Sequence, residues 1–163
     1  MAVVFKRVVD ADRPMLVEWL IRPHVTAAGW DHTLLDDLES FGTALAPYIA
    51  YENDEPVGYV QSYVAAAAGN GWWIDERDPG VRGIDLFIPD ESRLGKGLGT
   101  RIVQAFTEFL FSDSAVTKIQ IDPAPTNARA IRVYENAGFR AEGLVMTPDG
   151  EALLMTRTRK RSG

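Results

Sequence analysis

The chain contains no cysteine, and that single absence removes thiol nucleophiles, Cys-ligated zinc, iron–sulfur clusters and disulfides together. Histidine is almost as scarce. With His24 and His32 alone, a multi-histidine metal site is not expected, and no metal of any kind is. No apolar run approaches the roughly 20 residues that span a bilayer. The opening Met1-Ala2-Val3-Val4-Phe5-Lys6-Arg7 lacks the apolar core and cleavage site of a signal peptide, so a cytoplasmic protein with no membrane partner is expected. Positive charge is also in deficit: 17 Lys and Arg stand against 23 Asp and Glu, a formal charge of -6. That disfavours nucleic acid, whose phosphates select basic surfaces. It suits a cationic ligand, which an acidic cleft attracts.

What is present is an ordinary folded composition, 46% apolar and 25% charged over 163 residues. A chain of this size buries a useful core without disulfide or metal staples, and residues 1–163 are expected to form one domain. The first strand is predicted at 3–9. Asp10 or Asp12 then caps a helix with Pro14 in its first turn and a stripe of Met15, Leu16, Trp19 and Leu20, which Pro23 is expected to close. Asp31-His32-Thr33 opens a second helix carrying Leu34, Leu35, Leu38 and Phe41. Strands at 48–51 and 57–67 are joined through Glu52-Asn53-Asp54-Glu55, a hairpin signal.

Gly69-Asn70-Gly71 breaks that run, and 72–80 reads as an acidic, aromatic loop. A strand at 82–88 leads through a glycine-rich turn into an amphipathic helix bearing Leu98, Ile102, Ala105, Phe106, Phe109 and Leu110. A strand at 116–121, a helix from Asn127 ended by Gly138, and a hairpin of 139–146 with 151–158 complete the chain. The terminal Arg157, Arg159, Lys160 and Arg161 read as a solvated basic arm with no function of their own. The order β-α-α-β-β-β-α-β-α-β-β suits one mixed sheet covered by helices, an α+β fold in α/β/α layers.

The densest chemical signal is Leu94-Gly95-Lys96-Gly97-Leu98-Gly99-Thr100, between a strand and a long helix. Glycines there let backbone N–H groups approach an anion, and the helix N-terminus adds positive potential, which together make a pyrophosphate cradle. The spacing does not match a P-loop or a dinucleotide fingerprint.

This segment resembles the [Gln/Arg]-x-x-Gly-x-[Gly/Ala] motif of the GNAT family of acetyl-CoA-dependent N-acetyltransferases, with Leu94 standing where Gln or Arg is usual. Asn127-Ala128-Arg129-Ala130-Ile131-Arg132-Val133-Tyr134-Glu135-Asn136-Ala137-Gly138-Phe139 is similar to the family's Asn-x-x-Ala-x-x-x-Tyr-x-x-x-Gly-Phe segment. Pro47-Tyr48-Ile49-Ala50, Gly58-Tyr59-Val60-Gln61-Ser62-Tyr63-Val64, Gly71-Trp72-Trp73, 78–85, Thr117-Lys118-Ile119-Gln120 and Thr147-Pro148-Asp149-Gly150 resemble the aminoglycoside 6'-N-acetyltransferases of the type Ib group. The resemblance implies a GNAT fold, with a mixed, largely antiparallel sheet split between the strands before and after the coenzyme helix. It implies acetyl-CoA as co-substrate, an aminoglycoside as acceptor, and a monomer or weak homodimer. The rival readings are an acyltransferase for another small amine, such as a hydroxylysine or polyamine, and a non-catalytic acyl-CoA-binding protein of the same fold.

The resemblance also distributes roles. Phe87, Ile88, Gly95, Lys96, Gly97, Leu98, Gly99 and Thr100 become coenzyme contacts, although Lys96 is as easily a solvated cation. Asn127 bonds the pantetheine arm or merely caps a helix. Tyr134 matches the tyrosine that protonates the departing sulfur, against a plain role in the core. Asp85, on the strand before the cradle, is either the base that takes the amine proton or a residue that holds the cationic amine. Asp122 corresponds to a second acidic contact with the drug, or caps its loop.

Trp72, with Asp75, Glu76 and Asp78 beside it, suits a polyamine sugar, whereas Trp73 reads as an anchor of the loop. Asn70 stands where the type Ib pattern has an Asp contact. Gln61 is a further candidate contact. Arg and Tyr at the positions of Trp72 and Asp149 accompany fluoroquinolone acetylation in the type Ib group, so this chain is expected to leave such drugs untouched.

Overall fold

The computed structural model describes residues 2–40 and 44–159. Strands β1 (Val3–Arg7), β2 (Leu45–Glu52), β3 (Glu55–Val64) and β4 (Val81–Phe87) form an antiparallel run, and β5 (Lys118–Ile121) joins β4 in parallel. With β6 (Arg140–Thr147) and β7 (Gly150–Thr158) they make one seven-stranded sheet in the order β1-β2-β3-β4-β5-β7-β6. The helices are α1 (Arg13–Leu20), α2 (Pro23–Ala27), α3 (Thr33–Ser40), α4 (Leu98–Phe111) and α5 (Ala128–Asn136).

Strand alternation divides the core into two layers. On one face Ile49, Tyr59 and Phe87 pack under α1 to α3 through Leu16, Trp19, Leu20, Val25 and Leu34. On the other Val60, Ile84, Ile119 and Met155 meet Val103, Phe106 and Leu110 of α4. The β2–β3 hairpin turns through Asn53 and Asp54, both left-handed at φ 54° and 62°, the geometry that a two-residue primed turn requires.

Pro23 does not merely close the first helix. That helix ends at Leu20, and Pro23 opens α2, because its fixed φ and missing N–H suit a first helical position. Leu34 of the predicted second helix is buried, while Phe41 lies outside the described residues. The basic arm is not free either. Arg157 donates to the Ala137 carbonyl at 3.0 Å. Arg159 donates to the carbonyls of Phe111, Asp113 and Val116 at 2.7–2.9 Å, satisfying groups left open where α4 ends. Lys160 and Arg161 lie outside the described residues.

The feature that makes a site is a split. β4 and β5 pair only at Val81↔Lys118, Arg82↔Ile119 and Gly83↔Gln120. Beyond Gly83 the two strands separate, and the register they abandon would have set Asp85 opposite Asp122. Both carboxylates therefore stand at the opening of the gap.

Candidate active site

At that opening lies a cleft of about 760 Å³, lined by Gln61, Tyr63, Trp72, Trp73, Asp85, Asp122, Tyr134 and Asp149, with Trp30 on its α2 side. β3, β4 and α5 supply Gln61, Tyr63, Asp85 and Tyr134, and the rest come from the segments after α2, before β4 and after β5 and from the β6–β7 turn. β3 and β4 contribute one face in period two: Tyr59, Gln61 and Tyr63 lie opposite Phe87, Asp85 and Gly83. This register gives Asp85 its partner. Tyr59 donates to Gln61 Oε1 at 2.6 Å, and Gln61 Nε2 donates to Asp85 Oδ2 at 3.1 Å. Gln61 is thus committed to orienting Asp85 as well as lining the cleft. Tyr59 is itself stacked on Phe87, ring centroids 5.4 Å apart at 23°.

The electrostatics reflect the crowding of three carboxylates into a partly closed space. Burial is the main force raising the Asp85 carboxyl; the Gln61 bond opposes it and Asp149 adds to it. Asp122 is pushed up to about 7, by burial first and then by Asp85 and Asp149. Tyr134 and Tyr63 are both raised well above the usual phenol range, by burial and then by Asp85 and Asp122. The two hydroxyls keep their protons at neutral pH, while Asp85 and Asp122 are poised to accept one.

The glycine-rich loop has the backbone geometry of an anion cradle. Gly95 and Gly97 adopt left-handed backbone at φ 75° and 87°, and Gly97 is the N-cap of α4. A Cβ at Gly97 would lie 3.4 Å from Arg101 Nη1 in a conformation that L side chains avoid. Exposed backbone at the N-terminus of a 14-residue helix fits a pyrophosphate. Leu94 packs against the cluster of Ala50, Val57, Ile88, Leu98 and Ile102, so it ties the loop down by apolar contact.

Behind the loop, Glu52 is buried and accepts from Arg101 at 2.9 and 3.0 Å and from Arg93 at 3.3 Å, fastening both flanks of the cradle. Gly99 lies against Val133 of α5, which joins the cradle to the helix that carries Tyr134 into the cleft.

The other expected site residues occupy a range of settings. Phe87 and Leu98 bury their side chains, and Ile88 does the same while its carbonyl meets His24 Nε2 at 2.8 Å, so only backbone of these residues is left to face a coenzyme. Asn127 Oδ1 accepts from Ala130 N at 3.1 Å as the N-cap of α5, yet Asn127 also lines the cleft. Lys96 and Thr100 flank the cradle, exposed and half-buried respectively. Asn70 is exposed beside the cleft and is not among its lining residues.

Asp75, Glu76 and Asp78 do not line the cleft either. Asp78 is spent on Gly80 N at 2.7 Å and Thr117 Oγ1 at 2.8 Å, and Glu76 on the amides of Arg77 and Asp78 at 3.1 Å. The acidic surround is therefore Asp85, Asp122 and Asp149. Tyr59 and Tyr63 belong to the type Ib-like segment 58–64 but carried no site role in the sequence, and Trp30 was not singled out. The alternation around Gln61 was the one available signal for the two tyrosines.

A split sheet, a glycine cradle on the helix after β4, and an acid-lined cleft at the split define an acyltransferase that uses a coenzyme A thioester. Residues 8–147 match the Acetyltransferase (GNAT) domain, and the chain belongs to that family. It is an acetyl-CoA-dependent N-acetyltransferase. It is 49% identical over 170 residues, 98% of this chain and 84% of the relative, to the aminoglycoside N(6')-acetyltransferase type 1 of Klebsiella pneumoniae. A kanamycin resistance protein of Rhizobium radiobacter is 60% identical over 89 residues, covering 55% of this chain and 82% of that protein. The crystal structure of aminoglycoside acetyltransferase AAC(6')-Ib with coenzyme A and kanamycin superposes with a TM-score of 0.91 at 50% identity, covering 97% of this chain and 95% of that one.

Proposed function

We propose that this chain transfers the acetyl group of acetyl-CoA to the 6'-amine of aminoglycoside antibiotics by direct attack in a ternary complex, and so confers resistance to them. The observation that carries this reading is the convergence of Asp85, Asp122 and Asp149 in one cleft beside the coenzyme-binding helix. The Asp149 charge raises the proton affinity of Asp85, and Asp85 and Asp149 raise that of Asp122; a ligand bearing several ammonium groups relieves this crowding.

The chemistry is set by the groups present. The amine nitrogen attacks the thioester carbonyl carbon, a C–N bond forms, and the C–S bond breaks. Asp85, held by Gln61, takes the proton that the amine sheds, directly or through a water. Tyr134, whose hydroxyl stays protonated, gives a proton to the departing sulfur. Asp122 and Asp149 hold further ammonium groups, and the Trp72 ring offers a face to a sugar. The Gly95–Gly99 amides and the α4 N-terminus hold the pyrophosphate. Without a cysteine, no acyl-enzyme on sulfur intervenes.

A thiol-release assay with kanamycin, a hydroxylysine derivative and spermidine tests the reading. Turnover that favours kanamycin supports it. Preference for the linear amines moves the chain to another acceptor class, and acetyl-CoA binding without turnover of any amine makes it a binding protein.

A further inference from the structure

The tryptophan loop is folded through an unusual concentration of left-handed backbone: Gly69, Asn70, Gly71 and Trp73 have φ of 70°, 54°, 87° and 48°. Glycine accepts this region freely and asparagine tolerates it, but a bulky residue there persists only when its surroundings hold it. Trp73 has such a hold. Its indole Nε1 donates to the Tyr63 hydroxyl at 2.9 Å, and its ring lies 5.8 Å from that of Trp72 at 48°.

Tyr63 is seated with equal specificity. It pairs in register with Gly83 on β4, and a Cβ at that position would fall 2.0 Å from Tyr63 Cζ and 2.3 Å from its hydroxyl. A side chain at 83 would expel the ring, so the bare glycine lets it lie across β4, next to Asp85.

We propose that Tyr63 is a positioning residue for the substrate wall: with Gly83 beneath it, its hydroxyl latches Trp73 in the left-handed conformation and so fixes Trp72 beside the carboxylates. The inference rests on the aminoglycoside reading for its consequence, because a rigid sugar ring gains from a rigid aromatic wall. The latch itself is a property of the fold. The high pKa of the Tyr63 phenol keeps it neutral, so it accepts from Trp73 with its own proton still in place.

Kinetics and exchange on Tyr63→Phe, Trp73→Phe and the double variant test the latch. Each single change is expected to raise the kanamycin KM about tenfold. The acetyl-CoA KM should stay within about twofold, and the double variant should be no worse than either single one. Independently of any substrate, the Trp73 indole N–H of the folded protein, followed by NMR, should exchange with solvent faster in Tyr63→Phe. An indole exchange rate untouched by Tyr63→Phe, additive single effects, or equal rises in both KM values would overturn the latch. If the unaltered chain acetylates no aminoglycoside, the functional reading fails, and the exchange rates still decide the latch.

Discussion

At the scale of single residues, the surroundings of Asp85 and Asp122 set apart the roles proposed for them. Asp85 is fixed by Gln61, so Asp85→Asn preserves shape while removing basicity. Its kcat for kanamycin should fall by about 10²–10⁴, with a smaller change in coenzyme binding. Near-normal kcat with a raised kanamycin KM would instead make Asp85 a binding residue.

Asp122 sets a pH dependence whose sign comes from its raised value. Between 3.8 and about 7 the folded chain keeps a proton that the unfolded chain has released. Its contribution to stability therefore declines as pH rises through that window. A bound ammonium prefers the ionised form, so kanamycin binding below pH 7 should expel a proton. Calorimetry at pH 6 in two buffers of different ionisation enthalpy should show that release, and Asp122→Asn should diminish it. Equal heats for the unaltered chain in both buffers would contradict the assignment.

That Asp85, Asp122 and Tyr134 line one cleft was legible through the family resemblance, which set Tyr134 in its motif, Asp85 on the strand before the glycine-rich loop and Asp122 at the end of a later strand. Tyr63 and the latch were not, since nothing local joins residue 63 to Gly83. The register of β3 on β4 does that, and the same register turned Gln61 from a plain substrate contact into the support of Asp85.

Among the elements, the loop between β4 and α4 was the easiest to read and is the most directly testable. Its glycines are required by backbone angle at Gly95 and Gly97, which sequence spacing already suggested. Gly97→Val puts a branched side chain where φ is 87° and where a pyrophosphate oxygen approaches the backbone, so acetyl-CoA affinity should fall at least about tenfold. Unchanged affinity by calorimetry in a folded variant would remove the cradle. What anchors that loop was hidden. Glu52 and Arg101 lie far apart in the chain, and their part-buried pairing exists only once the end of β2 comes up against α4. Pro23 was read as a stop because proline breaks helices, yet the chain uses it as a start, with His24 to Ala27 continuing the helix beyond it.

Taken as a whole molecule, the protein works because two parallel strands part company. The number and order of elements could be read from periodicity, apart from the extra short helix α2. The position of β5 between β4 and β7, and the early end of its pairing with β4, are long-range facts that local patterns do not carry. That parting leaves Asp85 and Asp122 at the mouth of one gap, where Asp149 joins them in the cleft.

The decisive measurement is the product formed when the chain is given acetyl-CoA with kanamycin and, separately, with ciprofloxacin. Kanamycin should be acetylated at the 6'-amine, as located by NMR of the purified product, and ciprofloxacin should be left essentially unmodified with Trp72 and Asp149 in place. No transfer to kanamycin, or acetylation at another amine, would contradict the assignment of this cleft to 6'-acetylation of aminoglycosides, and efficient modification of ciprofloxacin would contradict the drug range expected from Trp72 and Asp149.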